Sequence, residues 1–118
     1  MFAVMEYRWL EQPMQWNNNN IHMKIIGLGV LHAFCVRHAD CRGWITNWIS
    51  DVKASRWQTT HDIKQRYPSA SFLGNSTVIF NVRGNDYRLE VQVAVAVEVV
   101  AVKWIGTHAQ YDRRYGKK

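Results

Sequence analysis

The side chains that could bind or cut a phosphodiester are concentrated in the last third of the chain. They lie in two segments, VIFNVRGNDYRLEV at 78–91 and KWIGTHAQYDRR at 103–114. Cations stabilise the negative charge that develops on a phosphoryl group, and imidazole and phenol groups exchange protons. The combination is typical of a protein that holds and cleaves a nucleic acid backbone. Its members are Asn81, Arg83, Arg88, Lys103, His108, Tyr111 and Asp112.

Cleavage of RNA without a metal needs a base for the 2′-hydroxyl, cations for the phosphoryl oxygens and an acid for the 5′-oxygen. Arg88 is the first candidate for phosphate stabilisation, because its planar fork can bind two oxygens at once, and Lys103 is the second cation. His108 and Tyr111 are the acid–base candidates, since imidazole titrates near neutral pH and clustered cations favour a phenolate. The alternatives are solvated surface cations for the first two, a turn-closing hydrogen bond for His108 and packing on the helices for Tyr111.

A β-hairpin must position these residues. From Val78 onward, apolar and polar residues alternate, which predicts strands. The dipeptide at 84–85 predicts a tight turn, because Gly and Asn both tolerate positive φ. A two-residue loop there pairs Val82 with Tyr87 on the core face. It also pairs Asn81 with Arg88 on the polar face.

A further strand is predicted from about Val99 to Ile105, after a turn near residues 96–98. It would direct Val102 and Trp104 inward and Lys103 outward. The face of the sheet that no helix covers is therefore expected to carry Asn81, Arg88 and Lys103. His108 and Tyr111 follow this strand, in a loop that can bend over the sheet edge.

The first half of the chain predicts helices. Helical spacing runs from Leu28 to His38, Asp40 is a candidate N-cap for a second helix, and Thr60 begins a capped short helix. The second helix has one apolar stripe, formed by Trp44, Ile45, Trp48, Ile49 and Val52. With three or four antiparallel strands, the predicted fold class is α+β, with helices packed on one face of a small antiparallel sheet.

Length and charge bound the class of protein. The 118 residues fit one domain, and 15 basic against 9 acidic residues give a net charge of +6. Such a domain favours polyanions, but charge does not choose between RNA, DNA, an anionic membrane and an acidic protein. The start of the chain has no basic region followed by an apolar run, and no stretch is long enough to span a membrane. The expected location is cytoplasmic.

Residues 1–22 differ from the remainder. They contain Pro13 and the polar run at 17–20, and they show no sustained period. We expect them to be a disordered or loosely ordered extension, with the functional domain at 23–118.

A metal site is not expected. His32, Cys35, His38 and Cys41 recur every three residues. On a straight helix such side chains point in different directions, and four ligands cannot converge. The two cysteines are expected to be buried thiols, and no nucleotide-cofactor motif is present. We predict no cofactor.

Four motifs resemble the HigB family of toxins from bacterial toxin–antitoxin pairs. They are YPSAS at 67–71, GN at 74–75, FNVRGNDYRL at 80–89 and IGTHAQYD at 105–112. The resemblance covers about residues 23–114. Lys103 stands where the family usually has Arg, and the turn before its strand lacks the usual turn residues.

The resemblance implies the compact fold of RelE-like and ParE-like toxins and a ribosome-dependent endoribonuclease acting on mRNA. It also implies a cognate helix-turn-helix antitoxin, HigA-like, that inhibits the toxin. Asp112 would orient His108 or Arg113, and Arg83 would grip backbone phosphate or antitoxin. The predicted RNA-binding set is Asn81, Arg83, Asp112 and Arg113. Two alternatives stay open, a non-catalytic inhibitor of DNA gyrase on the same scaffold and an inert RNA-binding module.

Overall fold

The computed structural model describes residues 22–116. The expectation for residues 1–22 therefore lies outside the described residues, apart from His22. The helices of the described part are α1 (Leu28–Arg37), α2 (Arg42–Ala54), α3 (Thr60–Arg66) and α4 (His108–Arg114). Its strands are β1 (Lys24–Ile26), β2 (Ser71–Leu73), β3 (Thr77–Val82), β4 (Tyr87–Ala94) and β5 (Val99–Thr107). Short 3₁₀ turns at Ala39–Cys41 and Val95–Val97 precede α2 and β5.

The five strands form one sheet in the order β1-β5-β4-β3-β2. Neighbours among β2 to β5 are antiparallel, whereas β1 runs parallel to β5. The sheet is therefore mixed. The parallel pairing is possible because the helices and strands β2 to β4 lie between β1 and β5 in the chain. The predicted α+β fold with the N-terminal helices on one face is confirmed, although the sheet is mixed rather than wholly antiparallel.

The core lies between the sheet and α1, α2 and α3. Trp48 of α2 meets Phe80 of β3 edge-on at 5.6 Å, and Trp57 stacks on the same ring at 6.3 Å. Cys35 and Cys41 are fully buried, as the sequence predicts. The opposite side of the sheet, which we call the outer face, carries Arg88 and its neighbours.

The β3–β4 hairpin has the predicted register. Val82 pairs with Tyr87, and Asn81 pairs with Arg88. The predicted turn geometry is wrong, because the left-handed residues are Arg83 (φ 52°) and Gly84 (φ 70°) rather than 84–85. Arg83 is held there by its guanidinium, which lies 2.8 Å from Asp86 and 3.3 Å from Asp40.

A β-bulge changes which residues of β5 face outward. The register shifts between Glu90 and Val91, so that Val91 pairs with Val102 while Glu90 pairs with Trp104. Lys103 is the extra residue, and the alternation of β5 inverts after it. The prediction that Trp104 points into the core is therefore wrong, since Trp104 lies on the outer face opposite Glu90.

The capped helix α3 begins at Thr60 as predicted, and Thr59 caps it through a reciprocal capping box with Asp62. One predicted cap is wrong. Asp40 does not cap α2; its carboxylate instead accepts a hydrogen bond of 2.6 Å from the Tyr87 hydroxyl. Among residues 22–116, no helix has the length and apolar content needed to cross a membrane.

Candidate functional site

Helix α4 carries the acid–base candidates onto the outer face. Thr107 ends β5 and caps α4: its hydroxyl accepts from the amide of Gln110 at 3.1 Å, and its own amide donates to the Gln110 side chain at 2.8 Å. The predicted loop is wrong, because the chain enters a helix at His108. The backbone N–H of His108 donates a hydrogen bond of 3.1 Å to the backbone carbonyl of Asp86. This bond connects the start of α4 to the β3–β4 turn.

Arg88 and Tyr111 meet on the outer face. The guanidinium carbon of Arg88 lies 5.8 Å from the centroid of the Tyr111 ring, within cation–π range. The same guanidinium donates to its own strand's backbone at Tyr87, at 3.1 Å. His108 lies three residues before Tyr111, so both side chains share one side of α4. The structure therefore brings two of the four predicted catalytic residues, Arg88 and Tyr111, into contact, and His108 lies on the same helix as Tyr111.

Trp104 forms the floor beside this cluster. A Cβ at Gly106 would lie 2.4 Å from the Trp104 ring, so the indole packs directly on the bare backbone of the glycine. The Tyr111 ring is 6.5 Å from the indole and 4.8 Å from the Tyr115 ring. The sequence pattern does not indicate this aromatic floor, because the alternation in β5 predicts Trp104 in the core.

Glu90 anchors the far end of α4. Its Oε1 accepts a hydrogen bond of 3.0 Å from Nε of Arg114 and one of 2.6 Å from the hydroxyl of Tyr115. The hydrogen bond to Glu90 raises the pKa of Arg114, while burial and then the same carboxylate raise the pKa of Tyr115. The guanidinium of Arg114 also lies over Trp104 at 5.0 Å. None of these three charged or hydroxyl-bearing groups was among the predicted site residues.

His108 and Asp112 face each other along α4. Nδ1 of His108 is 3.7 Å from Oδ2 of Asp112, one helical turn away, and about half of the imidazole is exposed. The predicted orienting role of Asp112 stays a prediction. The distance is that of an ion pair once the imidazole is protonated.

Lys103 lies elsewhere. It lines a groove of about 700 Å³ that runs along the edge of β5 between α1 and α4, and Arg88 does not line this groove. Arg37 of α1 and Arg113 of α4 line it as well. We call this feature the edge groove. The expectation that Lys103 stands beside Arg88 on the outer face is corrected, because the bulge places Lys103 at the sheet edge.

Residues 41–114 match a family model, HigB_toxin, which describes the RelE-like toxic component of a toxin-antitoxin system. The chain belongs to this HigB toxin family. No curated protein sequence matches it. The family match spans β2 to β5 and α4, and therefore includes Arg88, His108 and Tyr111. A toxin of this kind implies an antitoxin as a partner.

Two predicted RNA-binding residues of this HigB-family toxin lie at the β3–β4 hairpin. The Asn81 amide is 3.5 Å from Asn85, beside Arg88 on the outer face. Arg83 has two carboxylate partners, Asp40 and Asp86, at 3.3 and 2.8 Å. Its guanidinium is therefore already paired with two carboxylates.

Within residues 22–116 of the toxin, no group of three or more His, Cys, Asp or Glu side chains is arranged to hold a metal ion. Cys35 and Cys41 place their sulfurs 3.4 Å apart inside the core. The hydrogen bond between the two thiols raises the pKa of Cys35 and lowers that of Cys41. The pair packs between α1 and α2, away from the outer face.

Proposed function

We propose that this toxin is an endoribonuclease that cleaves mRNA on the translating ribosome, with no metal ion in the reaction. The observation that carries the proposal is the placement of the Arg88 guanidinium over Tyr111, with His108 on the same side of α4. A cation, a phenol and an imidazole on one exposed surface are the groups that phosphodiester cleavage requires. A surface that only binds RNA needs the cation but neither proton-transfer group.

In the proposed reaction, a base removes the proton of a 2′-hydroxyl, and the 2′-oxygen attacks the adjacent phosphorus. The bond from phosphorus to the 5′-oxygen breaks, an acid protonates that oxygen, and a 2′,3′-cyclic phosphate and a 5′-hydroxyl end result. Arg88 stabilises the extra negative charge on the phosphoryl oxygens. His108 and Tyr111 carry the proton transfers, and Asp112 orients His108.

The ribosome would supply the positioning that the open outer face lacks. A bound mRNA strand held in one conformation needs less help from the enzyme, because alignment of the reacting atoms is already achieved. The place of action would then be the cytoplasm, and the cognate antitoxin would be a HigA-like helix-turn-helix protein. Arg88 is the cation of this proposed centre, and Lys103 lies outside it.

The test is cleavage of a defined mRNA on purified ribosomes, read at nucleotide resolution by primer extension. Arg88→Ala and His108→Gln should each lower the initial cleavage rate by about 10²-fold or more. Arg56→Ala removes an exposed cation between α2 and α3, outside the proposed centre, and is the matched control, which should cut at the wild-type rate. Wild-type cleavage by the Arg88 variant would refute the proposed centre.

The same preparations separate the alternative functions. Naked mRNA without ribosomes should stay intact, and equal cleavage of naked and ribosome-bound mRNA would remove the ribosome from the proposal. Growth arrest with intact mRNA and inhibited DNA supercoiling would identify the gyrase inhibitor instead. No effect on growth, mRNA or supercoiling would identify an inert module.

A further inference from the structure

The edge groove has no role in the proposed reaction, and three features of it point to a protein partner. Its floor is the edge of β5 from Lys103 onward. Strand β1 pairs only with residues 99–101 of β5, so among the described residues the remainder of that edge has no neighbouring strand. An unpaired edge presents backbone N–H and C=O groups that can accept another strand.

The walls of the groove are cationic. Arg37, Lys103 and Arg113 all line it, and no acidic residue does. None of the three has an ion-pair partner within residues 22–116. Like charges that converge without a counter-charge favour an anionic ligand.

Apolar side chains of α1 also line the groove. Val30 and Ala33 of α1 face the groove, and Val30 keeps 38% of its surface exposed. His38 stacks on one face of Phe34 at 4.3 Å, and Arg114 lies over one face of Trp104 at 5.0 Å. These contacts reduce the aromatic surface on which the bases of single-stranded RNA could stack.

We propose that the edge groove binds an extended, acidic segment of the antitoxin, which adds a strand to β5. A peptide strand supplies both donors and acceptors to the unpaired edge, whereas a nucleic acid backbone supplies mainly acceptors. Acidic side chains on one side of the segment pair with Arg37, Lys103 and Arg113. Apolar side chains on the other side pack on Val30 and Ala33. This inference rests on membership of the toxin family and holds whether or not the toxin cuts RNA.

The experiment measures binding of synthetic probes to the ¹⁵N-labelled full chain. The first probe is an eight-residue peptide that alternates Glu and Val. The second has the same sequence with alternate backbone nitrogens methylated, which preserves the side chains but removes strand donors. The third replaces Glu by Lys, and the fourth is an eight-nucleotide oligouridylate.

The first probe should bind, shift the amide signals of residues 103–106 and slow the hydrogen exchange of those amides that point away from β4. The methylated and Lys-containing peptides should bind at least about tenfold more weakly, because each lacks one of the two proposed interactions. Arg37→Glu should lower the affinity for the Glu–Val peptide by about fivefold to tenfold. Arg37→Gln should lower it by about twofold to fivefold. Arg56→Glu, with the same charge change outside the groove, should not.

Three results would overturn the proposal. Equal binding of the methylated and unmethylated peptides would show that the strand edge is not used. Unchanged binding by both Arg37 variants would show that the cationic walls are not used. Shifts at residues 103–106 with oligouridylate but not with the Glu–Val peptide would assign the groove to RNA. None of these results depends on cleavage activity, so they leave the proposed nuclease centre untouched.

Discussion

The guanidinium carbon of Arg88 lies 5.8 Å from the centroid of the Tyr111 ring. The two residues come from different elements, β4 and α4, and the distance depends on how α4 is fixed to the sheet. Thr107 holds its beginning and Glu90 holds its end. Substitutions in the pair and in its supports separate the chemistry of Arg88 and Tyr111 from the contacts that position them.

Substitutions at Tyr111 distinguish a chemical role from a packing role. Tyr111→Phe preserves the ring beneath Arg88 but removes the hydroxyl. We expect the cleavage rate on ribosomes to fall by about 10²-fold, with the thermal midpoint unchanged within a few degrees, because only the proton-transferring group is lost. Tyr111→Leu, which also removes the cation–π contact, serves as the comparison and should lower the midpoint as well. If Tyr111→Phe cleaved mRNA at the wild-type rate, the Tyr111 hydroxyl would have no catalytic role.

Glu90 should act through position rather than chemistry. Glu90→Gln removes the charge that accepts from Arg114 and Tyr115, at a side chain only 13% exposed. We expect the free energy of unfolding to fall by about 1–2 kcal/mol and the amides of α4 to exchange faster. Cleavage should fall less than for the Tyr111 variants, and its pH profile should keep the wild-type shape. Glu98→Gln, on an exposed turn, is the control and should change neither measurement.

The register of the hairpin could be predicted because a period-two pattern and one turn allow only one pairing that buries Phe80 and Leu89. The bulge at Lys103 could not be predicted. The apolar and polar residues of β5 alternate through Lys103 and Trp104, and this pattern does not show that Lys103 lacks a partner on β4. That one insertion determines both the outward position of the indole and the displacement of Lys103 to the edge. Local periodicity carries no information about the partner strand, where the register shift occurs.

Helix α4 could have been predicted from the sequence. Thr107 is followed three residues later by Gln110, the spacing of a capping box, and the same spacing joins Thr59 to Asp62. Reading that pattern would have placed His108 and Tyr111 on one side of a helix instead of in a loop. The anchoring carboxylate was harder to find, because Glu90 and Arg114 are 24 residues apart and only the folded sheet brings them together.

The hydrogen bond between Tyr87 and Asp40 predicts a dependence of stability on alkaline pH. The bond to the carboxylate, together with burial, raises the pKa of Tyr87 from 10.0 to about 12. Between these pH values the folded state retains a proton that the unfolded state has lost. Stability from this group is therefore complete below about pH 10 and is lost as the pH rises toward 12.

Tyr87→Phe tests that dependence through denaturant unfolding at several pH values. Near neutral pH the variant should be less stable by about 1–2 kcal/mol, the net contribution of a hydrogen bond to a charged group. The difference between the two proteins should then shrink over the alkaline range. Other tyrosines titrate equally in both proteins, so they cancel in the comparison. A difference that stays constant with pH would contradict the raised pKa.

Gly106 should be essential for the aromatic floor. In Gly106→Ala the new Cβ would lie 2.4 Å from one ring carbon of Trp104 and 2.8 Å from the Gln110 side chain, which is the capping partner of Thr107. Because both neighbours are engaged, we expect a loss of about 1–3 kcal/mol in the free energy of unfolding and a changed tryptophan emission. Gly43→Ala is the matched control, since nothing lies within 4 Å of its new Cβ in α2. That substitution should stabilise the helix by about 0.5–1 kcal/mol. If the two variants proved equally stable, the indole would not rest on the glycine backbone, and the position of Tyr111 above it would need another support.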